Sequence, residues 1–303
     1  MSEFVEIPLA SYDADAFRGF VGANAFDLGD ARACMWLSQL AYETRLPDKI
    51  DAVGALWELE RIVPIGARKA GLASFDTHGV TAKRGTSHFI AFAGTDPAVW
   101  QNLATDLDVG LTANNVHHGF EAALAGVRGE VDAAIQACKQ AHGSLFVTGH
   151  SLGAALAVLA SEVAFRADCP PRATYVFGCP RVGGTTFAQG YDNDLGSSTY
   201  RLVHGADIVA SIPSSAAGYR HVGRPLSCAS NQRFSAGALM PVGIDVPQLL
   251  ANVLRDATGR IGQVLHGQLL SLPGEGSFGP LFALLPSQLR DHLPDRYRAA
   301  LAG

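Results

Sequence analysis

The stretch FVTGHSLGAALAVLA, residues 146–160, limits the fold more than any other part of this chain. Residues 145–149 form a short apolar run of the kind that makes a buried strand. It leads directly into Gly-His-Ser-Leu-Gly, and residues 154–165 then continue without Gly or Pro as a helix. A strand, a tight turn and a helix in immediate succession make the joint of a βαβ unit, which requires a largely parallel sheet covered by helices. Gly149 and Gly153 supply the small neighbours of a sharp turn, and Ala154 and Ala155 let the helix lie close to the sheet. A serine at this joint is either a plain helix cap or a nucleophile raised above the sheet edge. The pentapeptide alone does not decide, because a chain with 33 glycines can produce it by chance.

The surrounding segments repeat the strand-and-helix alternation. Residues 30–42 (DARACMWLSQLAY) read as an amphipathic helix, 88–94 (HFIAFAG) as a buried strand and 121–140 as a helix. Residues 173–180 and 198–205 read as two further strands. The fold class expected is α/β, with a mainly parallel central sheet flanked by helices. Four of these strands end in glycine-bearing loops followed closely by Thr95, Ser151, Arg181 and Asp207. In such sheets, sites lie beyond the carboxyl ends of the strands, so these four side chains are expected along one rim. Residues 1–303 read as a single domain, with an insertion or cap at about 234–286.

Composition narrows the function classes. The chain has 303 residues, 48% hydrophobic and 17% charged, enough to bury a large core. A net charge of −5 without a Lys/Arg cluster argues against a nucleic-acid partner, and no apolar run reaches the length of a membrane span. No spacing of Cys, His or carboxylates resembles a metal site, so neither metal nor cofactor is expected. The first residues lack a basic segment followed by an apolar one, and the five cysteines are widely spread. Both features lead to the expectation of a cytoplasmic location, or of export by a signal-independent route.

A serine hydroxyl attacks only when a base takes its proton, and in α/β sheets of this kind the helpers follow in the order Ser, Asp, His. Asp207 comes directly after a strand and suits the acid, whereas Asp192 and Asp194 fall in a polar loop with no strand leading in. Of ten histidines, His150 adjoins Ser151 and should point away beneath the turn, and His117 and His118 come too early. His221 and His292 remain as candidates for the base. The backbone N–H of Leu152, next after the nucleophile, is the first expected donor to an oxyanion, and the loop after residues 88–94 should supply the second.

Six further blocks occur in order along residues 30–300: LSQLAY (37–42), IAFAGTD (90–96), VHHGF (116–120), FGCPRVG (177–183), RLVHGADIVASIP (201–213) and DHLPDRY (291–297). Together with GHSLG they resemble the class 3 lipases, the α/β-hydrolase group that includes the filamentous-fungal triacylglycerol lipases. The resemblance implies Ser151 as nucleophile, Asp207 as acid, His292 rather than His221 as base, and Thr95 beside Leu152 in the oxyanion hole. It implies a lid at about 96–111, where Trp100, Leu103 and Leu107 share a helical face; the same stripe also suits plain core filling. The implied activity is hydrolysis of acylglycerols or related lipid esters at a lipid–water interface. A phospholipase, an acyltransferase and an inactive scaffold are the alternatives. Ala93 departs from the family pattern, which has arginine there, so the ion pairing that steadies the oxyanion loop should differ.

Overall fold

The computed structural model describes residues 5–67, 76–94, 110–235 and 287–302. Thr95, most of the expected lid and all but the first two positions of the expected 234–286 insertion lie outside the described residues. Among them, the helices of four residues or more are α1 (Leu28–Leu40), α2 (Pro47–Leu56), α3 (His118–Ala125), α4 (Arg128–Gln140), α5 (Leu152–Arg166), α6 (Thr185–Asp194), α7 (Ser287–Arg290) and α8 (Pro294–Ala300). The strands are β1 (Arg61–Ala67), β2 (Thr77–Arg84), β3 (Ser87–Phe92), β4 (Ser144–His150), β5 (Ala173–Phe177), β6 (Gly183–Gly184), β7 (Thr199–His204), β8 (Tyr219–Arg220) and β9 (Arg224–Cys228).

Seven strands form one sheet in the order β1-β2-β3-β4-β5-β7-β9. The pairs β1–β2 and β2–β3 are antiparallel, and the four pairs from β3 to β9 are parallel. The carboxyl ends of β3, β4, β5 and β7 therefore share one edge, followed in turn by Gly94, Ser151, Gly178 and Gly205. This edge carries the site.

Strand periodicity splits the core into two layers. Phe89, Phe146, Tyr175, Phe177 and Tyr200 point to one face, where they pack with Met35, Trp36 and Leu37 of α1 and with Trp57. Ile90, Phe92, Val147 and Val176 point to the other, against α3, α4 and α5. Each fully buried side chain of this size contributes about 1.5–3 kcal/mol relative to exposure. Helix α5 is buried along most of its length because its alanines and Gly153 let it approach the sheet. A Cβ on Gly153 would lie 2.4 Å from the carbonyl oxygen of Ala93, and one on Gly149 only 2.1 Å from that of Gly153. Alanine at either position would push α5 off the sheet. The N-terminal segment is tied to α1 by the buried Asp30, whose carboxylate accepts three backbone N–H groups, from Val21, Gly22 and Ala23.

Three readings of the sequence change. Residues 121–140 belong to two helices, α3 and α4, because Gly126 closes the first and Val127 leaves helical geometry at φ −123°. Asp192 and Asp194 lie on α6, not in a loop. The antiparallel strands β1 and β2 lead into the parallel part and widen the sheet beyond the strands expected.

Candidate active site

Ser151 follows the last residue of β4 and precedes the first of α5, so no loop separates strand from helix. Its backbone sits at φ +60°, ψ −130°, a region that costs a non-glycine residue about 1–3 kcal/mol. The surroundings enforce it: Ser151 N–H donates to the Phe177 carbonyl at 2.9 Å, and Ala154 N–H donates to the Ser151 carbonyl at 2.9 Å. The hydroxyl therefore leaves the helix-capping position, and no side-chain cap bond forms. The elbow aims the serine at a partner, not at its own helix.

That partner is His292, in the turn between α7 and α8. Its Nε2 lies 2.8 Å from Ser151 Oγ, and its Nδ1 lies 2.8 and 2.9 Å from the two oxygens of Asp207. A carboxylate only accepts, so Nδ1 carries the proton and Nε2 accepts from the serine hydroxyl. This is the tautomer a general base needs. Ser151 and His292 are fully buried, and Asp207 nearly so.

Asp207 stands just beyond β7. Burial pushes its carboxyl up, but the His292 imidazole charge and the hydrogen bonds from His292 and Tyr297 outweigh it and hold the group below the usual aspartate value. The Tyr297 hydroxyl donates to Asp207 Oδ2 and accepts from the backbone N–H of His204. Val209 N–H donates to the other carboxylate oxygen at 2.9 Å. Asp207 thus remains ionised and fixed in orientation.

Glycines make room for this pair. Gly178, at φ +57°, lies so close that a Cβ there would fall 2.6 Å from Asp207 Oδ2 and 2.8 Å from His292 Nδ1. Asp291 joins the turn that carries His292 to the loop around Asp207. Its Oδ2 accepts Ala206 N–H at 2.9 Å and the Ser230 hydroxyl at 2.7 Å.

His221 is drawn elsewhere. Its Nε2–H donates to the Ala210 carbonyl at 2.8 Å, and burial with the nearby Arg201 and Arg181 charges pushes its imidazole well below the usual value. Arg181, expected along the same rim, holds the loop that follows Asp207: its guanidinium donates to the Ser211 and Pro213 carbonyls.

Leu152 is the first residue of α5, where amides have no intrahelical acceptor, and its N–H is adjacent to Ser151 in the chain. Gly94 lies against the same serine; a Cβ there would sit 2.5 Å from Ser151 Cβ. The strand that leads to Thr95 therefore ends beside the nucleophile position. Ala93 is buried in the core, where the family pattern has arginine.

Residues that were given no role in the triad also converge here. His150 bonds the His292 carbonyl and is itself bonded by Tyr42, and Asp291 and Tyr297 brace Asp207 and its loop. Tyr42, Asp291 and Tyr297 had a signal, since all three lie inside the matching blocks.

The family model described as Lipase (class 3) matches residues 80–216, which include the elbow and Asp207. A secreted mono- and diacylglycerol lipase of Malassezia globosa is 36% identical over 107 residues, covering 34% of this chain and 35% of that protein. One from Fusarium solani is 41% identical over 108 residues, covering 35% and 32%. The chain thus spans about a third of the length of these curated relatives. Among solved structures, the lipase of Rhizopus microsporus var. chinensis is 25% identical at a TM-score of 0.55, covering 67% of this chain and 76% of that one. The mono- and diacylglycerol lipase of Aspergillus oryzae, at 18% identity, covers 89% and 96% with a TM-score of 0.60 and shares the fold.

These names correct one expectation. The relatives are named as secreted, which points to export and overturns the cytoplasmic reading. Among the five free thiols, Cys34, Cys138, Cys169 and Cys179 are buried and Cys228 is half-buried. No helix among the described residues is long and apolar enough to cross a membrane. The α/β-hydrolase fold and the ordered sequence blocks agree with the family match, and over residues 80–216 the chain is similar to the class 3 lipases.

Proposed function

We propose that the chain is a serine-dependent carboxylic ester hydrolase that acts on acylglycerols. The observation that carries this reading is the unbroken hydrogen-bonded line from Ser151 Oγ through His292 to Asp207. Ser151 attacks the ester carbonyl while His292 Nε2 takes its proton. Asp207 holds the imidazole in the correct tautomer and stabilises the imidazolium. The Leu152 N–H stabilises the tetrahedral oxyanion, with Thr95 as the second donor. His292 then returns the proton to the leaving alcohol, and water activated by the same histidine hydrolyses the acyl-enzyme. No step requires a metal or cofactor.

The substrate class follows the relatives, which are named as mono- and diacylglycerol lipases. The test is covalent labelling with a fluorophosphonate, read by intact mass and peptide mapping, beside turnover of glyceride esters. A single adduct on Ser151 and release of fatty acid are expected. Absence of the adduct from the folded protein refutes the reading. Substituting His292→Asn and His221→Asn separately assigns the base. The first should lower kcat by about 10⁶-fold, the scale of losing a triad histidine; if only the second does so, His292 is not the base.

A further inference from the structure

His150 precedes the nucleophile, yet its side chain turns away from the substrate side and is almost fully buried. Its Nε2 lies 2.8 Å from the backbone carbonyl oxygen of His292. A carbonyl only accepts, so Nε2 carries the proton and Nδ1 presents a lone pair. The Tyr42 hydroxyl, 2.8 Å from Nδ1, donates to it. The tautomer of His150 is therefore set from both ends. The His150 and His292 rings lie 4.7 Å apart and 31° from parallel, so one imidazole also forms a floor for the other.

We infer that Tyr42 and His150 are a positioning pair that places the base, with His150 gripping His292 by its carbonyl and its ring face. The inference rests on the hydrolase reading and extends it to two residues that touch no substrate. His292 sits in the turn between two short helices, where its N–H donates to the Leu289 carbonyl at 3.3 Å, and the bond from His150 adds a tie from β4 to that turn. The base must meet Ser151 and Asp207 at the same time, and small displacements of a reacting group are costly in rate.

The pair also joins separate chain segments. Tyr42 lies just beyond α1, His150 ends β4 and His292 belongs to the C-terminal segment. The Tyr42 hydroxyl also borders Gly94 at the end of the oxyanion strand, where a Cβ would lie 2.6 Å from it. One hydrogen-bonded line therefore touches the elbow, the base and the approach to the oxyanion hole. Electrostatics agree. Burial first, and then the neighbouring His292, push the His150 imidazole down to about 3, while Asp207 acts to raise it and Arg298 to lower it. His150 is thus neutral when His292 becomes charged, and it adds no positive charge of its own beside the imidazolium.

The test compares His150→Leu, His150→Gln and Tyr42→Phe with the wild-type chain. Glutamine keeps a donor for the His292 carbonyl, whereas leucine keeps none. We expect His150→Leu to lower kcat about 100-fold, the scale of a misplaced catalytic group, with KM within about two-fold. Glutamine should recover at least ten-fold of that loss, and Tyr42→Phe should fall between. Loss shared equally by leucine and glutamine, or wild-type kcat in folded His150→Leu, overturns the inference. A second readout needs no activity: the downfield NMR proton of His292 Nδ1, bonded to Asp207, should broaden in His150→Leu and persist in His150→Gln. An unchanged signal in His150→Leu also overturns it. Wild-type labelling of Ser151 tests the hydrolase reading separately, so the two failures are distinguishable.

Discussion

Replacing Gly178 with alanine tests the proposed acid–base pair, Asp207 and His292, without changing either member. The residue sits at φ +57°, and the alanine Cβ would fall 2.6 Å from Asp207 Oδ2 and 2.8 Å from both His292 Cε1 and Nδ1. Two costs add. A side chain in left-handed geometry costs about 1–2 kcal/mol. Forcing a methyl into a filled space costs about 1–3 kcal/mol more. Neither neighbour can yield cheaply, because Asp207 is held by Val209 N–H and Tyr297, and His292 by His150 and Ser151. Ordinary contact begins near 3.4 Å, so the pair must separate from the new methyl by more than half an ångström. Displacement of a catalytic group on the scale of 1 Å costs about 10²-fold in rate. The expected result is therefore a fall of about 10²-fold in kcat with little change in KM, and a loss of about 2–5 kcal/mol in urea unfolding. Gly190→Ala on α6 is the control: a Cβ there meets nothing within 4 Å, so it should leave kcat unchanged and stabilise by about 0.5–1 kcal/mol. Wild-type turnover in Gly178→Ala would refute the placement of Asp207 and His292 around this glycine.

Further outcomes follow from the same geometry. Ser151→Gly and Ser151→Ala should both be inactive, but glycine should be the more stable by about 1–3 kcal/mol, because only glycine adopts φ +60° without strain; equal unfolding midpoints would show that the elbow is unstrained. His150 has a folded pKa of about 3 against 6.5 for an ordinary histidine, so below pH 6.5 the unfolded chain binds the proton and the folded one does not. Stability should fall with pH between those values by about 1.4 kcal/mol per unit from this group, and urea midpoints of His150→Gln should show a correspondingly shallower slope. Tyr297→Phe removes a hydrogen bond to ionised Asp207 and should cost about 1.5–3 kcal/mol. Because Asp207 titrates below 3.8 when folded, that stabilisation is present above pH 3.8 and is lost as pH falls through the folded value. The wild-type and Tyr297→Phe unfolding curves should therefore converge in acid.

The parts of the fold that were legible in the sequence are those where local pattern and burial coincide. β4 is buried on both faces, so its apolar run is continuous, and the next residues turn without a loop. β1 hides its nature because it is an edge strand. It carries Arg61 and Pro64, and an edge tolerates both. α6 turns its acids to solvent, so Asp192 and Asp194 imitate a loop. At the site, chain order and the matching blocks led to Ser151, Asp207 and His292, but spacing alone left His221 open. The choice between the two histidines depends on where the chain returns: His221 bonds the loop after Asp207, and His292 meets Ser151. The contacts of His150 with Tyr42 and with His292 span 108 and 142 positions, and no local pattern encodes them.

His292, the proposed base, lies 141 positions after Ser151 and 85 after Asp207. Loop closure over such separations is slow, and its entropic cost is met only when the intervening sheet and helices are in place. Reactivity of Ser151 therefore reports the completed chain. In refolding from urea, helical ellipticity should return first and the rate of covalent labelling last, because a molecule lacking only its C-terminal dock has its full sheet and no base.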